Sequence, residues 1–137
     1  MNLVNSKKTI NKKKKPTQIA KHYYEVLSGI EKLRPDLQAV FLSHIENLGD
    51  SVNPQWKLKT NGKMLDTQLN VDGLFTYLLY TNVEQDIDGK PVYKFRTNTI
   101  DGTDTCKTPM GCFKDLLIDN DLQFVLDTIN KYINDED

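Results

Sequence analysis

Four consecutive apolar residues, Ala39-Val40-Phe41-Leu42, sit inside residues 37–45 (LQAVFLSHI) and constrain this chain more than any other stretch. A strand sends successive side chains to opposite faces, so an unbroken apolar run needs cover on both. The segment therefore reads as a central strand of a covered sheet. A helix stands before it. Pro16-Thr17 opens that helix, and Ile19, Ala20, Tyr23, Val26, Leu27 and Ile30 supply its apolar stripe. The stripe continues to Leu33, and Arg34-Pro35 ends it because proline cannot extend the helical ladder. Gly29 costs about 1 kcal/mol against alanine, which a buried face offsets. A helix followed by a buried strand is half of a β-α-β unit. The parallel strand that would precede the helix is the half this chain is expected to lack.

Beyond the apolar run the pattern turns antiparallel. Residues 46–56 form a polar loop with Gly49, Asp50, Ser51, Asn53 and Pro54. Trp56-Lys57-Leu58-Lys59-Thr60 alternates as a short strand, and Asn61-Gly62 is a tight turn. Residues 64–70 fit either a loop or one helical turn. Residues 74–83 (LFTYLLYTNV) read as a second buried strand. Residues 92–99 (VYKFRTNT) alternate, with Tyr93, Phe95 and Thr97 on one face, and Asp88-Gly89 between the two runs supplies hairpin turn residues. Residues 100–118 read as irregular, broken by Asp101-Gly102, Thr108-Pro109 and Gly111. A last helix starts at the capping residues Asp119-Asn120 and presents Leu122, Val125, Leu126, Ile129 and Ile133, and the acidic tail 134–137 then leaves the domain. No internal repeat is present.

Length and composition narrow the classes further. A chain of 137 residues suits one domain and buries roughly two-thirds of its surface. With 38% hydrophobic and 27% charged residues it has a soluble globular profile. The net charge of −1 hides an asymmetry: residues 1–15 carry six lysines and no acid. The other 122 residues hold twelve basic and nineteen acidic side chains, a balance of −7. The arm, with Lys7, Lys8, Lys12, Lys13, Lys14 and Lys15, suits salt-sensitive contact with nucleic-acid phosphates; a solvated terminus is the plainer reading. No apolar segment follows the arm as a signal peptide requires, and residues 74–80, the longest apolar stretch, cannot span a bilayer. Cys106 and Cys112, five residues apart and far from His22 and His44, fit no common zinc pattern. A reducing cytoplasm is expected.

Autonomous catalysis finds little support. A phosphate-binding loop needs G-x-x-x-x-G-K-[ST], whose glycines let backbone amides wrap phosphates and whose hydroxyl holds magnesium. Gly62-Lys63 is followed by Met64 and has Lys57 where the leading glycine belongs; Gly89-Lys90 is followed by Pro91. Both fail. No acid ends either buried strand to hold the metal, since the first ends in Ser43-His44 and the second in Thr81-Asn82. Ser43 and His44 are adjacent on a strand and point to opposite faces, so they cannot share a proton as a hydrolase pair. Asp86 and Asp88, and Asp101 and Asp104, stand in glycine-containing turns that explain them without catalysis.

One resemblance spans residues 16–132. The blocks Leu33-Arg34-Pro35-Asp36-Leu37, Phe41-Leu42-Ser43-His44 and Lys59-Thr60-Asn61-Gly62-Lys63-Met64-Leu65-Asp66 come first. Gly73-Leu74-Phe75-Thr76-Tyr77-Leu78-Leu79-Tyr80-Thr81, Tyr93-Lys94-Phe95-Arg96-Thr97, residues 101–113 and Ile118-Asp119-Asn120-Asp121-Leu122 follow. In order and spacing they resemble the carboxy-terminal part of RecA-like P-loop ATPases encoded by tailed phages, some linked to single-strand-annealing recombination. Cys106 and Cys112 stand where that family usually has alanine and methionine. The family's P-loop and acidic strand have no counterpart in residues 1–15.

The resemblance implies a truncated RecA-like α/β domain, a small mixed sheet with flanking helices and an antiparallel hairpin. It implies that Ser43 or His44 senses the γ-phosphate, with strand capping as the plainer role for His44. Lys63, Lys107 and Arg96 would offer cations to phosphate or DNA, unless they are simply solvated. ATP and magnesium would bind only with a complementing P-loop subunit. The expected partners are a P-loop-bearing half, a RecA-like subunit or a second copy, with DNA as a further contact and no membrane. Two other functions fit the same residues: an ATP-independent nucleic-acid module using the arm, and an inhibitory mimic of a RecA-like subunit.

Overall fold

The computed structural model describes residues 16–60 and 70–135. They fall into two units, one holding residues 16–39 with Thr60, the other residues 40–59 and 70–135.

In the first unit, helix α1 spans Pro16–Gly29 and tightens into a 3-10 turn at Ile30–Lys32. Ala20 is buried and Tyr23, Leu27 and Ile30 are half-buried, a three-and-four spacing that keeps them on one face. Ile19 and Val26 are exposed, so the stripe is narrower than the sequence suggests. Each residue turns the helix by about 100°, which sets those two on the flank of the buried face. The Leu33 amide bonds the Ile30 carbonyl at 3.0 Å and the chain then leaves the helix, as Arg34-Pro35 requires.

The second unit holds both sheets. Strands β1 (Ile45–Asn47) and β2 (Trp56–Leu58) form an antiparallel pair. Their connection is closed by side chains: Asn47 Oδ1 accepts the amides of Gly49 and Gln55 at 3.0 and 2.8 Å. Asp50 Oδ1 accepts those of Val52 and Asn53 at 2.8 and 2.6 Å. The loop is so tight that a Cβ on Gly49 would lie 2.0 Å from the Asn53 carbonyl oxygen.

Strands β3 (Tyr80–Gln85), β4 (Pro91–Arg96) and β5 (Leu117–Asp119) form an antiparallel sheet in that order. The β3–β4 hairpin closes where the sequence places it. Asp86 Oδ1 accepts the amides of Asp88 and Lys90, and Gly89 takes the positive φ of 76° that the turn demands. Helix α2 (Leu122–Asp135) follows, capped by Asp121, whose Oδ1 accepts the Phe124 amide at 3.1 Å. Val125 is its buried anchor, while Leu122 and Ile133 are exposed. Tyr132 ties the helix to the preceding loop by donating its hydroxyl to the Met110 carbonyl at 3.1 Å. Leu78, Tyr80 and Cys106 form the core of this unit, with Leu58 and Phe75 packed against them.

The α/β class, the helices and the antiparallel hairpin are as the sequence indicates. Several elements are corrected. Residues 37–44 are not a covered strand: they join no ladder among the described residues and are exposed throughout. Apolar composition states a need for cover, whereas a strand exists only through hydrogen bonds to a neighbour, and only Ile45–Asn47 finds one. The second expected strand, residues 74–83, begins as a 3-10 turn at Asp72–Leu74; its ladder starts at Tyr80 and runs on to Gln85. Within 100–118, taken as irregular, β5 begins and pairs Ile118 with Phe95. Asp119 ends that strand, so the helix cap moves to Asp121. The helix also continues to Asp135, past the point where an acidic tail was expected to leave. Among the described strands every ladder is antiparallel, the parallel contact being a single bridge between Trp56 and Asp104.

Candidate functional site

The register of the hairpin places Tyr80 opposite Arg96, and this pair organises a buried polar cluster in the second unit. The Arg96 guanidinium lies 5.4 Å from the centre of the Tyr80 ring. Its Nη2 donates to Asp104 Oδ2 in an ion pair whose side chains are only 19% and 4% exposed. Asp104 Oδ1 accepts the Cys106 amide at 2.9 Å, and the Cys106 thiol donates to the Arg96 carbonyl at 3.1 Å. Tyr80 shares a 3.0 Å hydroxyl hydrogen bond with Thr105 and donates to the Trp56 carbonyl at 3.4 Å. Asp104 and Cys106 are thus both fastened to Arg96 on β4, and Thr105 to Tyr80 on β3. Burial pushes both the Cys106 thiol and the Tyr80 hydroxyl above their ordinary pKa values. Arg96 Nε is buried with no hydrogen-bond partner among the described residues.

Beside this cluster opens a cleft of about 390 Å³, with Lys57 on one wall and Lys107 on another. The backbone fixes both positions. Lys57 is the middle residue of β2, and Lys107 exchanges two backbone hydrogen bonds with Leu78 at 2.8 and 2.9 Å. Two carboxylates also line the cleft, each already engaged: Asp104 by Arg96, and Asp72 by the Leu58 amide at 3.3 Å. Asn70, Asn98 and Thr99 add neutral polar groups, and no aromatic side chain lines the cleft among the described residues.

The sequence-predicted residues do not converge. Ser43 and His44 end the exposed apolar segment, where Ser43 donates to the His44 carbonyl at 3.0 Å and that same carbonyl accepts the Lys59 amide at 2.7 Å. Lys107 lines the cleft. Arg96, expected to face phosphate or DNA, is instead committed to Asp104 and the Tyr80 ring. Asp104, read as a turn residue, is the buried partner of that arginine. Asp101 does serve the turn: its Oδ1 accepts the Thr103 amide and hydroxyl, and the hydroxyl bond holds the carboxyl below its ordinary pKa. Lys63 and the arm lysines Lys7, Lys8 and Lys12 to Lys15 lie outside the described residues. Lys57, Tyr80 and Cys106 had no sequence signal as site residues, because their roles arise from pairings distant in the chain.

Among the described residues no group of His, Cys, Asp and Glu gathers to hold a metal, and no helix is long and apolar enough to cross a membrane. Comparison with protein-family models, curated proteins and solved structures gives no match.

Proposed function

We propose that this chain is the carboxy-terminal part of a RecA-like ATPase of phage DNA recombination, and that it acts with a P-loop-bearing segment. That segment, on the same polypeptide or another, supplies the phosphate-wrapping loop and the magnesium-holding acid. The sequence blocks that resemble the phage ATPases motivate the reading. The observation that carries it is the state of residues 40–44. Val40, Phe41 and Leu42 are 49%, 43% and 96% exposed, in a segment with no ladder partner among the described residues. Burying the Leu42 side chain alone is worth roughly 1.5–3 kcal/mol, a standing incentive to dock. An exposed apolar segment of extended chain is also one that can add to the edge of another chain's sheet. Ser43 and His44 follow it directly, so a sheet completed across this segment carries both polar side chains to its end, where RecA-like cores read the γ-phosphate.

Mixing the chain with a P-loop-bearing segment and following magnesium-dependent ATP turnover tests the proposal. Turnover is expected only in the mixture, and His44→Ala together with Ser43→Ala should lower it at least tenfold. Failure of the two to associate would overturn the reading, as would magnesium-dependent turnover by the chain alone.

A further inference from the structure

We infer that the cleft between Lys57 and Lys107 binds a phosphate group, recognising the anion and not an attached base. The inference stands on the cleft alone and needs neither the P-loop segment nor the RecA-like reading.

The charge inventory of the lining leads there. Lys107 is half-buried, and neither it nor Lys57 forms an ion pair among the described residues. Glu46 stands opposite Lys57 in the β1–β2 ladder, yet no ion pair joins them. Lys57 is exposed and stays solvated, whereas the part-buried Lys107 gains from an anion that balances its charge. The carboxylates nearby do not supply that balance. Asp104 is neutralised by Arg96, and Asp72 is the only other acid on the lining among the described residues. Among the described residues the lining therefore carries two lysines outside any ion pair and one carboxylate without a cation, which already accepts a backbone amide.

The size and the walls select the ligand class. A volume of about 390 Å³ lies at the small end of ligand sites. Amide and hydroxyl groups from Asn70, Asn98 and Thr99 can donate to phosphate oxygens. Base-reading sites for single strands use aromatic stacking platforms, and the lining holds none among the described residues. The preferred occupant is thus a bare phosphate or pyrophosphate, or one phosphodiester of a strand whose bases face elsewhere.

Inorganic pyrophosphate is the deciding probe, followed by amide shifts in the full chain, which separates the cleft from the Lys-rich arm. Saturable shifts are expected at Lys57, Asn98, Thr99 and Lys107. Lys107→Gln should weaken binding at least tenfold, and Lys107→Arg should keep it within about threefold, which a merely structural lysine would not require. Competition by a thymidine oligonucleotide would assign the site to strand phosphates. Absence of competition, with pyrophosphate still saturating, would assign it to free phosphate; both outcomes support the inference. Shifts confined to the arm, or unchanged binding in Lys107→Gln, would overturn it. ATP binding more than tenfold tighter than pyrophosphate would overturn the exclusion of the base.

Discussion

The cluster around Cys106 and the segment around Leu42 belong to the same unit and have opposite fates. In the first, Tyr80, Arg96, Asp104 and Cys106 come from separate stretches of chain, and nearly every polar atom has a partner. Cys106 is 1% exposed. In the second, an apolar run as strong as any in the chain stands outside every ladder, with Leu42 96% exposed. Hydrophobicity does not separate the two regions, because the buried cluster is built on an ion pair and the exposed segment on Val, Phe and Leu. What separates them is whether the chain brings a neighbour to hydrogen-bond with. Residues 104–107 meet β2, Leu78 and β4, whereas residues 40–44 join no ladder among the described residues. Phe41 meets Phe75 edge-to-face at 5.6 Å, and the His44 carbonyl accepts the Lys59 amide at 2.7 Å.

The largest expected effect strikes the closed region. Asp104→Ala leaves the Arg96 guanidinium buried and unpaired, and should cost about 3–5 kcal/mol in urea unfolding. A loss under 1 kcal/mol would mean the cluster is not what closes this unit. Next comes the boundary between the regions, where order resumes at Ile45. Gly49→Ala drives a methyl into the Asn53 carbonyl and should cost roughly 1–3 kcal/mol, read from the same unfolding curves.

Alkaline pH gives a third contrast. Burial raises the Cys106 thiol above its ordinary 9.0 and the Tyr80 hydroxyl above its ordinary 10.0. The unfolded chain therefore loses these protons first. Their contribution to stability is complete below pH 9.0 and is lost as pH rises through the folded-state values. Cys106→Ala should flatten that decline, and an unchanged slope would discard the thiol as its source. The smallest effect on stability belongs to the open segment. Leu42→Ser should move the unfolding midpoint within about 0.5 kcal/mol while weakening assembly with the P-loop segment.

Much of the fold was legible because its signals are local. The stripe of α1, the Asp88-Gly89 turn, the alternation of β4 and the start of α2 to within a few residues are written in neighbouring residues. What was not legible depends on contacts across long separations. Strand β5 is three residues long and exists through its register with β4. The Arg96–Asp104 pair was invisible because each residue, taken alone, reads as a surface charge. The same blindness worked in reverse at residues 37–44, where four apolar residues declared a buried strand and could not declare what would cover it. Of the residues that line the cleft, the sequence singled out Lys107 and not Lys57, since a lysine in mid-strand carries no mark of the cleft it lines.

Hydrogen exchange at the amides of residues 40–43, with and without the P-loop-bearing segment, is the most direct test of the open segment's role. These amides should exchange close to the unprotected rate in the chain alone and slow at least a hundredfold in the complex, while the Cys106 amide is protected in both. Strong protection without the segment, or none in a complex that turns over ATP, would contradict the claim that residues 40–44 are a strand awaiting its sheet.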